Sequence, residues 1–306
     1  MRERLARKGL SRVLRWVFGI VGSAFLLVAV LETWDRSQGF PLPSLWPFVW
    51  AWLLIIVGLV SLAQGWARLL SGTSARGLTA GFYTSQVGRY IPGGVWQAIA
   101  QVGLAKGAGA TLPQASTAFV VHALIQAAAG GTIGATLAAF GTGRPLGLRL
   151  VALAGLLPLA LLHRGTIRSA AGVLSRLFRR TFPEAMIPSQ RAILVSYFLT
   201  MATLVANGVA FWVLLSSVDG YPELSVVVPA FALSWTLGFV AVPFPSGIGV
   251  REAALILAVG TAPGTTPLIA ASMSHRLVVI AGEVLMIGWS ALWTTKRPPT
   301  EADAVR

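Results

Sequence analysis

Seven ionisable side chains lie inside otherwise apolar stretches of this chain: Arg89, His122, Arg251, Glu252, His275, Arg276 and Glu283. An ionised group is costly in hydrocarbon, so each is either a functional group or one half of an internal pair. The three arginines present planar forks that grip phosphate or carboxylate through two parallel hydrogen bonds. Glu252 and Glu283 can balance those charges or carry protons. Arg251 and Glu252 are consecutive, so on a helix they point about 100° apart and are not obliged to pair. Ser272, Arg276 and Glu283 stand at offsets of four and seven, which places them on one helical face. Ser196, Thr200, Thr203 and Asn207 form a second polar stripe, and His122 with Gln126 a third. Ser and Thr stripes of this kind ordinarily make interhelical hydrogen bonds. His122 has no second His or carboxylate at ligand spacing and reads as a packed neutral imidazole. No Walker lysine motif, GxSxG elbow or paired-carboxylate constellation is present, so neither catalysis nor a cofactor is expected. The chain has no cysteine, which excludes disulfides, thiolate metal sites and Cys nucleophiles.

The elements that hold these groups must be membrane helices. Of 306 residues 55% are hydrophobic and only 11% charged, where soluble domains carry about 25% charged residues. The formal net charge of +14 would suit nucleic acid, but the bases sit between apolar runs, as the positive-inside rule describes, so nucleic acid is not an expected partner. Residues 16–31, 45–63, 114–140, 148–162, 192–215 and 267–294 read as six spans. The first follows six positive residues (Arg2, Arg4, Arg7, Lys8, Arg12, Arg15), with Glu32 and Asp35 beyond it, which sets the N-terminus in the cytoplasm. The loop between the fourth and fifth spans carries six arginines against Glu184 and should also be cytoplasmic; residues 167–178 within it have the pattern of a surface helix. Residues 298–306 form a cytoplasmic tail.

Two segments do not fit a simple span. Residues 78–106 comprise two pieces of about a dozen residues, too short to cross, joined at Pro92-Gly93-Gly94 and bracketed by Arg76 and Lys106. A re-entrant hairpin entering from the cytoplasm satisfies both facts. Residues 226–260 repeat the plan, broken at VPFPSGIG (Val242 to Gly249), and would enter from outside. The order span, span, hairpin, span thus occurs in residues 1–140 and again, from the opposite side, in 148–297. This is the pattern of an inverted-topology repeat. The expected fold is therefore an all-α polytopic membrane domain over 1–297, with about six transmembrane helices and two re-entrant hairpins, or eight or more helices if the hairpins cross. Broken backbone inside a bilayer must be buried in protein or face a water-filled cavity, so Gly93, Gly94, Trp96, Gln97, Gly247 and Gly249 at the breaks join Arg89, Arg251 and Arg276 as substrate-binding candidates. Glu252 and Glu283 are the coupling or charge-balancing ones.

SQVGRYIPGGVWQ (Ser85 to Gln97), PFPSGIGVREAA (Pro243 to Ala254) and the later Arg276 together resemble the transmembrane region of the lysylphosphatidylglycerol synthase/flippase family. The resemblance spans most of the chain. It implies a lipid translocase of the cell membrane that moves an anionic, aminoacylated or polyprenyl-phosphate-linked lipid. Its pattern falls on Gln86, Gly88, Arg89, Pro92, Gly93 and Trp96, then on Pro245, Gly247, Gly249, Arg251 and Glu252. The synthases add a soluble aminoacyl-transferase domain, whereas this chain stops at Arg306, so lysyl transfer is not expected. The alternative is a non-transporting partner that presents a lipid-linked donor to a separate glycosyl- or aminoacyl-transferase. A homo-oligomer is compatible with either.

Overall fold

The computed structural model describes residues 45–70, 72–91, 95–140, 145–169, 186–216, 221–240, 249–260 and 265–294. Among these residues the structure is all-helical, as the composition requires. Helix α1 (Leu45–Arg68) is followed by α2 (Ala75–Ser85), a 3-10 turn (Gln86–Tyr90), α3 (Trp96–Gly107) and α4 (Leu112–Phe140). After them come α5 (Leu146–Ala154), α6 (Leu157–Ala160), α7 (Gln190–Leu215), α8 (Leu224–Val240), α9 (Val250–Val259) and α10 (Thr265–Thr294). Helices α1, α4, α7 and α10 are long and apolar enough to cross a membrane. Their surfaces carry exposed Trp46, Trp50, Val57, Val120, Phe198 and Leu292, as in a helix bundle surrounded by lipid. The first expected span, both hairpin breaks with Gly93, Gly94 and Gly247, and the tail lie outside the described residues, as does most of the expected surface helix, of which 167–169 are helical.

The fourth expected span is interrupted. Residues 146–160 form two short helices separated by Gly155 and Leu156. Two features account for the interruption. Pro158 stands near the start of α6 and lacks an N–H, and Gly155 meets the backbone of Gly131 on α4 so closely that a Cβ on Gly131 would lie 1.7 Å from the Gly155 carbonyl oxygen. A straight helix would carry Gly155 past that contact.

Small residues set the remaining packing, as expected where lipid removes the hydrophobic drive between helices. Gly58 on α1 faces Thr203 and Asn207 on α7, and Gly65 faces Ser196, so the two helices run antiparallel. Gly77 lies against Ala108, Gly81 against Leu104 and Gly88 against the Gln97 backbone, which makes α2 and α3 an antiparallel hairpin with Arg76 and Lys106 at one end. At 1.5 Å per residue α2 and α3 are only about 16–18 Å long. Gly130 receives Thr236 and Gly134 receives Leu233, closing α4 onto α8. Helix α1 also packs on α2 and α10, α7 on α8 and α4, and α10 on α2, while each hairpin closes on itself. The core runs through α1, α4 and α7 around Trp66, Ile125 and Ile193.

Candidate functional site

The 3-10 turn that ends the first hairpin arm delivers Arg89 and Tyr90 to α10. There Arg89 pairs with Glu283, the Tyr90 hydroxyl donates to the other Glu283 oxygen at 2.8 Å, and Arg89 donates to the Tyr90 oxygen at 3.2 Å. Both carboxylate oxygens of Glu283 are thereby engaged in a site that is nearly closed to solvent.

The second hairpin reaches the same helix two turns away. Gly249, at φ 84°, starts α9 in a conformation that an L side chain rarely adopts. Its N–H donates to Glu252 at 2.7 Å, so the first free donor of α9 is capped by that carboxylate. The other Glu252 oxygen accepts from Arg276 at 2.6 Å and from Ser272 at 3.1 Å. Ser272, Arg276 and Glu283 thus use one face of α10 to hold both hairpins.

Arg251 points away from this cluster. It lies 5.5 Å from the centre of the Trp235 ring, within cation–π range, and its Nε is buried with no hydrogen-bond partner. Its side chain passes Gly238, where a Cβ would sit 2.4 Å from Arg251 Cγ. Arg89 and Arg276 line the same cavity as Arg251. That cavity, of about 80 Å³, is lined by Arg89, Tyr90, Arg251 and Arg276, by the uncharged polar Thr200, Thr203, Asn207, Gln126 and His275, and by apolar Ile55, Leu59 and Val279. It has room for several waters or one small anionic group.

Of the sequence candidates, Arg89, Arg251 and Arg276 line this one cavity, and Glu283 and Glu252 pair with two of them. Gly249 contributes the start of α9. Trp96 and Gln97 are not among the lining residues; Gln97 donates to Gln86 at 3.3 Å and holds the two hairpin arms together. At the N-terminus of α9 the Gly249 N–H is taken by Glu252. Tyr90 and Trp235 also line the cavity, and sequence reasoning did not single them out. Tyr90 had one available signal, its place beside Arg89; Trp235 sits in an apolar run and had none. His122 is enclosed by Trp66 and Phe82 at 5.7 and 6.1 Å between ring centres, both edge-on. Among the described residues no group of three His, Asp or Glu side chains converges as a metal site would require.

No protein-family model matches this chain. No curated protein matches it either.

Proposed function

We propose that the protein is a lipid translocase whose central cavity takes the phosphate of an anionic or zwitterionic lipid. The observation that carries this reading is Arg251. Among the described residues three guanidinium groups meet two carboxylates around the cavity, so one positive charge has no carboxylate there, and it belongs to a side chain with a buried, unpartnered Nε. Retaining such a charge without a partner is costly; a phosphate entering the cavity would supply one, in the forked geometry that guanidinium favours.

The packing supports two halves of inverted topology. Exchange α1 for α7, the first hairpin for the second, and α4 for α10, and the packings α1 on α2, α2 on α3, α3 on α4, α4 on α8 and α1 on α10 become α7 on α8, α8 on α9, α9 on α10, α10 on α2 and α7 on α4, all of which occur. The most extensive helix contact, α1 against α7, maps onto itself. The short antiparallel arms of α2 and α3 favour a hairpin that enters and leaves on one side. A substrate site between such halves, reached by broken helices, is the arrangement alternating-access transporters use. The sequence resemblance to the lysylphosphatidylglycerol synthase/flippase family points the same way.

The test is reconstitution of the purified chain in liposomes holding fluorescent phospholipids, with translocation followed by reduction of the outer-leaflet dye. Wild type should move lipid faster than empty vesicles. Arg251→Lys should slow it at least tenfold, because the charge stays while the fork is lost. Headgroup binding without translocation would support the lipid-presenting alternative, and unaltered rates in Arg251→Lys and Arg251→Ala would remove Arg251 from the site.

A further inference from the structure

The uncharged polar wall of the cavity has a bias of its own. Thr200 donates its hydroxyl hydrogen to the Ser196 carbonyl at 2.8 Å, and Thr203 shares its own between the carbonyls of Leu199 and Gly58, each at 2.9 Å. Asn207 donates from Nδ2 to the Thr203 carbonyl at 2.9 Å. His275, 7% exposed, engages the Asn207 backbone through its ring, while its Nε2 is buried with no partner. All four residues line the cavity. With these donors turned to backbone carbonyls, the groups left over are hydroxyl lone pairs, the Asn207 Oδ1 and, in the neutral ring whose Nδ1 carries the proton, the His275 Nε2 lone pair. Asn207 keeps one further N–H, and Gln126 offers both kinds of group. This wall therefore holds a surplus of acceptors, and the cationic wall of the same cavity carries one charge that has no carboxylate among the described residues.

From these two walls we infer that the cavity selects a phosphodiester headgroup that brings its own hydrogen-bond donors, hydroxyl or primary amine, to the uncharged polar wall while its single negative charge meets Arg251. The inference rests on the lipid reading above and narrows it. Glycerol and ethanolamine headgroups satisfy both walls. A choline headgroup has the same phosphodiester but no O–H or N–H, so the acceptors would lose water without replacement, a penalty that discriminates strongly in closed sites. A phosphomonoester brings more charge than one arginine balances, and no donor beyond the phosphate.

Thermal unfolding of the full chain in detergent tests the inference independently of transport. Short-chain phosphatidylglycerol, phosphatidylethanolamine, phosphatidylcholine and phosphatidic acid are titrated in turn. Glycerol and ethanolamine lipids should raise the midpoint at concentrations at least tenfold below those that choline lipid or phosphatidic acid needs. Thr200→Val, which removes one acceptor without touching an interhelical bond, should weaken the glycerol and ethanolamine lipids about three- to tenfold, the worth of one hydrogen bond, and leave choline lipid unchanged. Thr200→Ser should retain the wild-type order and guards against a folding defect in the valine variant. Equal stabilisation by choline lipid, or no stabilisation by any of the four, overturns the inference. The expected order in a protein that moves no lipid in liposomes would uphold the headgroup preference and overturn translocation, so the two failures are distinguishable.

Discussion

Arg251 and Glu283 stand in opposite situations. Arg251 has a ring beneath it and no carboxylate, whereas Glu283 has two donors and is almost wholly enclosed. Replacing an unpaired buried cation with an apolar side chain of similar length removes a desolvation cost. Arg251→Met should therefore raise the thermal midpoint while abolishing translocation, and a lowered midpoint would mean that the guanidinium serves the fold. Glu283→Gln should do the reverse and lower stability by about 2–3 kcal/mol, toward the low end for a broken internal pair because Arg89 keeps some access to solvent. Removing both partners, as Arg89→Met with Glu283→Met, should recover much of that loss; failure to recover it would locate the instability in packing and not in charge. The five charged members of this site were legible in the sequence because ionisable groups are scarce in apolar runs. Their partners were not: Glu252 and Arg276 are 24 positions apart, and which of the three arginines is left over depends on side-chain directions that spacing does not specify.

At the scale of elements, the helices follow the apolar runs, and their ends agree with the sequence reading to within a few residues over α1, α4, α7 and α10. The interruption between α5 and α6 escaped it because an apolar run was weighed by hydrophobicity alone, although Gly155 and Pro158 both stand inside that run. The contact behind it yields a prediction. Gly131→Ala would drive a methyl group into the Gly155 carbonyl, with backbone on both sides unable to swing aside. It should cost more than the usual 1–3 kcal/mol of an overpacked core and lower the thermal midpoint. Gly103→Ala on α3, where a Cβ would meet nothing within 4 Å, should be neutral or stabilising by up to about 1 kcal/mol through helix propensity. Similar midpoints for the two variants would show that the α4–α5 approach is softer than its geometry implies. Gly238→Ala belongs to the same class of contact, but it meets the Arg251 side chain; it should leave stability near wild type and impair the site.

For the molecule as a whole, the charge flanks and the antiparallel hairpin carry a sidedness that labelling can read. Single cysteines in this cysteine-free chain at Gly107 and Ser169, both exposed, should react with a membrane-impermeant maleimide only from the cytoplasmic side. Cysteines at Gly147 and Glu223, also exposed, should react only from outside. External labelling at Gly107 would rule out the inverted arrangement.

Both hairpins are tied to α10, at positions 276 and 283 of one face, and this makes the helix a ruler. Side chains on its outer face, such as Val284 and Leu285, can be exchanged for other apolar residues without disturbing either tie. The number of residues between the ties cannot change so freely. One residue inserted between Arg276 and Glu283 would advance the far end by about 1.5 Å and turn it by about 100°, carrying Glu283 away from Arg89 and Tyr90. Four inserted residues would bring the phase back to within about 40°, yet displace the tie by about 6 Å, more than a side chain of that length can span. Along this helix the chain is tolerant of substitution and intolerant of insertion, because what α10 measures is the distance between two hairpins.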